Sequence, residues 1–200
     1  MPSFIDETDR LTWQDVQAGF HRPPEWLRPK TILDLGANTG WTLLDFRELY
    51  PDATIFAVEM DLDNVLLASE RVGDDDRISI YHCAIGIENG AVKYDGNLPN
   101  NAYRIDVSDD RYRGVRCQKL DDFVAWLPVI DFCKMDIEGT EKAVFRGPAE
   151  IWPQRIHSLN VELHDYDVEE AQEDLARLGY DSRTGPGTSL FAWHNTRHGF

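Results

Sequence analysis

The chain is poor in cysteine: Cys83, Cys117 and Cys133 are all it has, widely spaced and without a Cys-x-x-Cys pair. That argues against a disulfide framework and against a thiolate zinc site. Basic residues are scarce as well, 20 Lys and Arg against 36 Asp and Glu, and they form no run. A formal net charge of −16 repels polyanions, so nucleic acid is not an expected partner, and the acidity reads as a solubilising surface. No apolar stretch approaches the length of a bilayer span. The opening Met1-Pro2-Ser3-Phe4-Ile5-Asp6-Glu7 is acidic where a secretion signal would be basic and then apolar. A cytoplasmic protein with no membrane partner is expected.

With 42% hydrophobic residues, the 200-residue chain is long enough for one domain with a substantial core. It is organised around Ile32-Leu33-Asp34-Leu35-Gly36-Ala37-Asn38-Thr39-Gly40. An apolar run that breaks into two glycines before an amphipathic segment reads as strand, tight turn and helix, with unpaired N–H groups in the helix's first turn. Glycines there let the backbone approach a ligand, which makes Asp34, Gly36, Ala37, Asn38 and Gly40 candidate binding residues. The loop has neither the third glycine of a dinucleotide fingerprint nor the lysine of a P-loop, so pyrophosphate is not the favoured guest. The next apolar run ends in Glu59, about 20 residues beyond the loop, where doubly wound folds place an acid for ribose hydroxyls. Ribose without a phosphate cradle suggests S-adenosylmethionine, with Met60 beside Glu59.

Residues 1–30 form a helical arm in this reading, with Thr12 as a possible cap and Trp13, Val16 and Phe20 as an apolar stripe, stopped by the proline-rich segment from Arg22 to Pro29. The arm either covers a substrate cleft or packs outside the sheet. From Thr31 onward, strands and helices alternate in a single domain: strands at 31–36, 54–59 and 78–84, helices near 40–50 and 62–72. That alternation implies an α/β fold with a parallel sheet. On the second helix Leu62, Val65, Leu66 and Ser69 share a face. The third strand should bring Cys83 and Ala84 to the edge of the glycine loop, within reach of an adenine ring. Residues 86–116, punctuated by Gly and Pro, read as an insertion of one or two hairpins. A short helix near Leu120–Trp126 precedes a strand at 129–136, a helix holding Val144 and Phe145, a strand at 158–163, a helix begun by Asp167 and Glu170, and a last strand at Leu190–Trp193.

Alternation puts Lys134 and Asp136 on one face of their strand, and Glu162 and His164 on one face of theirs. Ligands of open parallel sheets sit beyond the carboxyl ends of the strands, so these four groups converge where a cofactor's reactive end would lie. Two carboxylates, a histidine and a lysine can activate a hydroxyl: Asp136 and Glu162 as ligands of a divalent cation, most simply Mg²⁺, and His164 as proton acceptor, with Lys134 as a further catalytic candidate. Lys134 could instead neutralise the carboxylates with no metal at all.

The stretches ILDLGANTG at 32–40, FAVEMD at 56–61, HCAIG at 82–86, LDDF at 120–123, IDFCKMDIEGTEKAVFRG at 130–147 and LNVELHD at 159–165 resemble FkbM-type methyltransferases. The K-x-D-x-E-G-x-E core is the most specific of them. The resemblance implies a Rossmann-like class I methyltransferase fold, with a seven-stranded, mostly parallel sheet whose last strand is antiparallel. It also implies S-adenosylmethionine-dependent O-methylation of a hydroxyl on a sugar or natural product. The chain is similar as well to mycobacterial methyltransferases that act on mannosides. The expected partner is a small-molecule or oligosaccharide substrate, with a homodimer as the default assembly. The alternatives are a cofactor-binding scaffold subunit and a nicotinamide-dependent dehydrogenase, which should have shown the three-glycine fingerprint.

Overall fold

The computed structural model describes residues 4–94 and 113–194. Helix α1 spans Glu7–Ala18. Its N-cap is Asp6, whose side chain accepts from the Asp9 N–H, and Gly19 ends it in the left-handed conformation. Thr12 is therefore not the cap: it lies mid-helix, and its hydroxyl donates to the Thr8 carbonyl.

Strands β1 (Thr31–Leu35), β2 (Thr54–Glu59), β3 (Ile78–His82), β7 (Phe132–Met135) and β8 (Ser158–Glu162) are joined in parallel, with β9 (Tyr180–Thr184) and β10 (Ser189–His194) completing the sheet. Its order is β3-β2-β1-β7-β8-β10-β9, and β10 runs antiparallel to both neighbours. The α/β fold and antiparallel last strand match the expectation. Strand β9 was not foreseen, because Asp181, Ser182, Arg183 and Thr184 give an edge strand no apolar alternation.

Helices cover both faces of the sheet: α2 (Trp41–Leu49) and α3 (Leu62–Val72) on one, α4 (Leu120–Ala125), α5 (Glu141–Arg146), α6 (Trp152–Arg155) and α7 (Val168–Arg177) on the other. Alternation along the strands sorts the core between the faces, with Leu33, Cys133 and Leu159 packing on one side and Ile32, Phe132 and Ile55 on the other. On α3 the inward residues are Asn64 and Ala68, while Leu62 and Leu66 are exposed, so the face expected from hydropathy is not the packed one. The reason is close approach: Ala68 lies directly against Gly40, where a larger residue would not fit.

The expected strand 78–84 divides at Cys83. Its continuation β4 (Ala84–Gly86) joins β6 (Arg113–Lys119) and β5 (Gly90–Tyr94) in a separate three-stranded sheet, β4-β6-β5. One antiparallel pair of the expected insertion is thus present, and residues 95–112 lie outside the described residues. Among the described residues no helix is long and apolar enough to cross a membrane.

Candidate functional site

The register of the sheet sets a polar row across its middle: Asp34 on β1 pairs with Lys134 on β7, which pairs with Asn160 on β8. All three are buried. The Lys134 ammonium donates to the Gly36 carbonyl at 2.6 Å and lies 3.2 Å from Asp136 and 3.4 Å from Asp34. Burial alone would lower its pKa, but the Asp136 and Asp34 carboxylates hold it above the usual lysine range. Lys134 is in effect a pin between the glycine loop and the end of β7. Asp34, fully buried and bonded by the Thr42 hydroxyl, lines neither cavity of the site and works from behind the loop.

The loop is built on backbone contacts. Gly36 and Ala37 N–H groups donate to the Val58 carbonyl. Gly36 has φ +84°, and a Cβ there would lie 1.8 Å from the Asp136 carbonyl oxygen; Gly40 has φ +88° and meets Ala68. Both glycines are therefore required by the protein's own packing. Glu59 accepts from the Asn38 and Asp61 N–H groups, both at 2.8 Å. Its carboxyl is pushed up to about 7 by burial, against those two hydrogen bonds. Gly36, Asn38, Glu59, Met60, Cys83 and Ala84 line one narrow slot together with Ile85 and Ile137. Of the remaining loop candidates, Ala37 faces a second, larger cleft and Gly40 lines neither.

That cleft encloses about 330 Å³, shares Gly36, Asn38, Asp136 and Glu138 with the slot, and is also lined by Thr42, Asn160, Glu162 and His164. The arm forms its far wall through Thr12, Asp15, Val16, Phe20 and His21. α1 is fastened there by buried Asp9, which accepts from the Thr39 hydroxyl, the Trp41 indole and the Arg71 guanidinium.

Beyond β7 the chain turns sharply through Glu138, at φ +53°, and Gly139. Buried Glu141 braces the turn by accepting from the Ile137 and Gly139 N–H groups, both at 2.9 Å, and reaches His164 Nδ1 at 3.3 Å. His164 Nε2 lies 3.5 Å from Glu138, 3.8 Å from Asp136 and 4.0 Å from Glu162. The Glu141 hydrogen bond, opposed by burial and aided by the other carboxylates, raises the His164 pKa to about 9. Burial and then the Asp136 charge push Glu138 up to about 7 and raise Glu162 as well.

Asp136, Glu138 and His164 offer one ligand atom each within 4.8 Å of one another, the group among the described residues that could hold a cation. Glu162, expected as a ligand, lies 4.0 Å from His164 Nε2 at the border of this group, and Glu138 stands within it beside Asp136. In the sequence Glu138 and Glu141 stood out only within the K-x-D-x-E-G-x-E core, with no role assigned to them. The signal was their position directly after Asp136, at the carboxyl end of a central strand.

Among solved structures, the chain resembles an O-methyltransferase family protein from Burkholderia thailandensis with a TM-score of 0.54 and 10% identity, covering 92% of this chain and 56% of that one. It also resembles the precorrin-6y C5,15-methyltransferase of Geobacter metallireducens, with a TM-score of 0.52, 13% identity and coverage of 91% and 88%. These likenesses concern the fold. In sequence it is 29% identical over 167 residues to the 2-O-methyltransferase NoeI of Sinorhizobium fredii, covering 74% of this chain and 68% of that one. A family model of the methyltransferase FkbM domain matches residues 34–182, from the buried Asp34 through the Lys134–Glu141 turn to β9. The chain belongs to the FkbM family of S-adenosylmethionine-dependent methyltransferases.

Proposed function

We propose that the protein transfers a methyl group to a hydroxyl of a saccharide or glycosylated natural product, with a mannoside as the first acceptor to try. The observation that carries this reading is the wall shared by the two cavities: Gly36, Asn38, Asp136 and Glu138 border both, so groups held in each would meet there. The cleft offers hydroxyl, carboxylate, amide and indole surfaces from Thr42, Glu162, Asn160 and Trp41, which suit a polyhydroxylated ring. The relative's name, 2-O-methyltransferase, points the same way.

Bound in the slot, S-adenosylmethionine would supply an electrophilic sulfonium methyl. The slot's residues fit it: the buried Glu59 carboxylate, held by the Asn38 and Asp61 N–H groups, is suited to ribose hydroxyls, and Met60, Cys83 and Ala84 offer the flank of an adenine ring. Lys134 holds the loop against β7, and alignment of the two chambers would supply most of the acceleration.

Asp136, Glu138 and His164, with Glu162 beside them, would hold a divalent cation, whose chemistry is to orient an acceptor hydroxyl and make it more acidic. Burial first, and then the Asp136 charge, raises the pKa values of Glu138 and Glu162, and a cation there would relieve both costs. Oxygen donors favour magnesium, and the histidine leaves manganese open. In the cation-free protein His164 keeps its proton at neutral pH. Glu138, at about 7, then has the proton affinity suited to accept from the hydroxyl.

Labelled cofactor offered with mannosides, rhamnosides and glucosides should give one methylated class and release adenosylhomocysteine. Tight cofactor binding with no turnover on any of them would favour the scaffold alternative. Calorimetry should detect magnesium or manganese binding that Glu138→Gln abolishes; no binding by the unsubstituted protein would remove the cation.

A further inference from the structure

His21 is the most firmly placed residue of the arm's wall, and it lies outside the span that matches the family. The Asn160 amide donates to the Phe20 carbonyl at 2.7 Å and to the Arg22 carbonyl at 3.2 Å, gripping the backbone on both sides of it. The imidazole Nε2 lies 2.9 Å from Asp45 on α2, and the ring rests beside Phe46 with centroids 5.1 Å apart. Asp45 is buried and also takes the Arg22 guanidinium at 2.7 and 2.6 Å. Burial alone would raise its pKa, but the His21 and Arg22 hydrogen bonds carry it below the usual carboxylate range.

An ionised carboxylate only accepts, so the hydrogen shared with Asp45 sits on Nε2. Nδ1 is then the ring's remaining polar atom. It has no partner among the described residues, and the ring lines the cleft. A tie between arm and sheet would be complete with the Arg22–Asp45 fork and the Asn160 grip alone. His164, by contrast, has carboxylates facing both its ring nitrogens.

We propose that His21 binds the methyl acceptor: Nδ1 shares a hydrogen bond with a hydroxyl of the saccharide, and Asp45 and Asn160 fix the ring's direction. This rests on the larger cleft being the acceptor chamber. Asp45 is a positioning residue in the arrangement, since it acts only through the imidazole. The acceptor's orientation is then set from two sides, by the arm through His21 and by the strand ends through Asp136 and Glu138.

The test uses full-length protein carrying ¹³C-labelled histidine, saturated with adenosylhomocysteine and titrated with the methyl glycosides of mannose, rhamnose and glucose, with His21→Gln and His164→Gln assigning the resonances. A glycoside that binds should shift both the His21 and His164 signals. With that glycoside as acceptor, His21→Phe should raise KM about tenfold while kcat and adenosylhomocysteine affinity change little. His21→Gln, which keeps a polar group in place, should recover part of the loss, and Asp45→Asn should fall between the two. A glycoside that moves the His164 signal but not that of His21, or an unchanged KM in a folded His21→Phe, overturns the proposal and leaves the saccharide reading standing. If adenosylhomocysteine binds and no glycoside moves either signal, the saccharide reading falls and this proposal with it. Should His21→Phe not fold, the titration of the unsubstituted protein decides alone.

Discussion

The two chambers of the site are built differently. The narrow slot rests largely on the main chain: Gly36 and Ala37 N–H groups donate to the Val58 carbonyl and the Gly36 backbone packs against the Asp136 carbonyl, with the Glu59 side chain taking the Asn38 and Asp61 N–H groups. The larger cleft's far wall is fastened by side chains, with Asp9 holding α1, Asp45 holding the His21 ring and Asn160 holding the backbone on either side of it. The first lies within the family span 34–182, and the wall residues 12–21 and 186–189 lie outside it. A frame made of backbone resists change, whereas one made of side chains can be rebuilt residue by residue.

The contrast is broken most severely at Gly36. Gly36→Val places a branched side chain on the Asp136 carbonyl at a positive φ, so a loss on the order of 4 kcal/mol or more is expected. Thermal unfolding should show a Tm roughly 10 °C lower or no folded protein; a folded variant with normal cofactor affinity would mean that the loop does not need its close approach. Asp9→Ala leaves the Arg71 guanidinium with the Thr39 carbonyl and the Trp41 ring but without its carboxylate, and should cost about 3 kcal/mol, with the arm becoming open to limited proteolysis while the seven-stranded sheet stays intact. Unchanged cleavage would place the arm's anchor elsewhere. Glu59→Ala should weaken S-adenosylmethionine by about 1–3 kcal/mol, read by calorimetry, and equal affinity would take Glu59 out of the slot.

The mildest effect comes from pH. Folding raises Glu59 from 4.5 to about 7 and His164 from 6.5 to about 9. Each holds its proton more tightly when folded, so its contribution is full below the unfolded value and is lost as pH rises through the folded one. Fluorimetric Tm should therefore decline from pH 4.5 to 7 through Glu59 and from 6.5 to 9 through His164, and His164→Gln should flatten the upper decline. A Tm rising from pH 4.5 to 6.5 would contradict the Glu59 shift, and one rising from pH 7 to 9 the His164 shift.

Much of this was legible in the residues. The run ending in Gly36, the acid at Glu59 and the alternation that pairs Lys134 with Asp136 are local patterns, and local patterns survive in a sequence. Asp6 could have been read as a cap, since it precedes Asp9 by three residues, yet Thr12 sat nearer the apolar stripe. Glu138 was hidden by its conformation: a non-glycine residue with positive φ carries no mark in the sequence. Leu62 and Leu66 misled because they are large, and the face that packs is the small one, Ala68 against Gly40. The pairings of Asp9 with Arg71 and His21 with Asp45 join residues 62 and 24 positions apart, which no periodicity records.

The grip of Asn160 on the Phe20 and Arg22 carbonyls spans 140 and 138 residues. Closing so large a loop is slow, and the contact has no neighbour to hold until β8 is laid beside β7. The segment from Phe20 to Arg22 is therefore fixed late, after Asp9 can already have tied α1 to Thr39, Trp41 and Arg71, so the arm docks in two stages with His21 settled in the second.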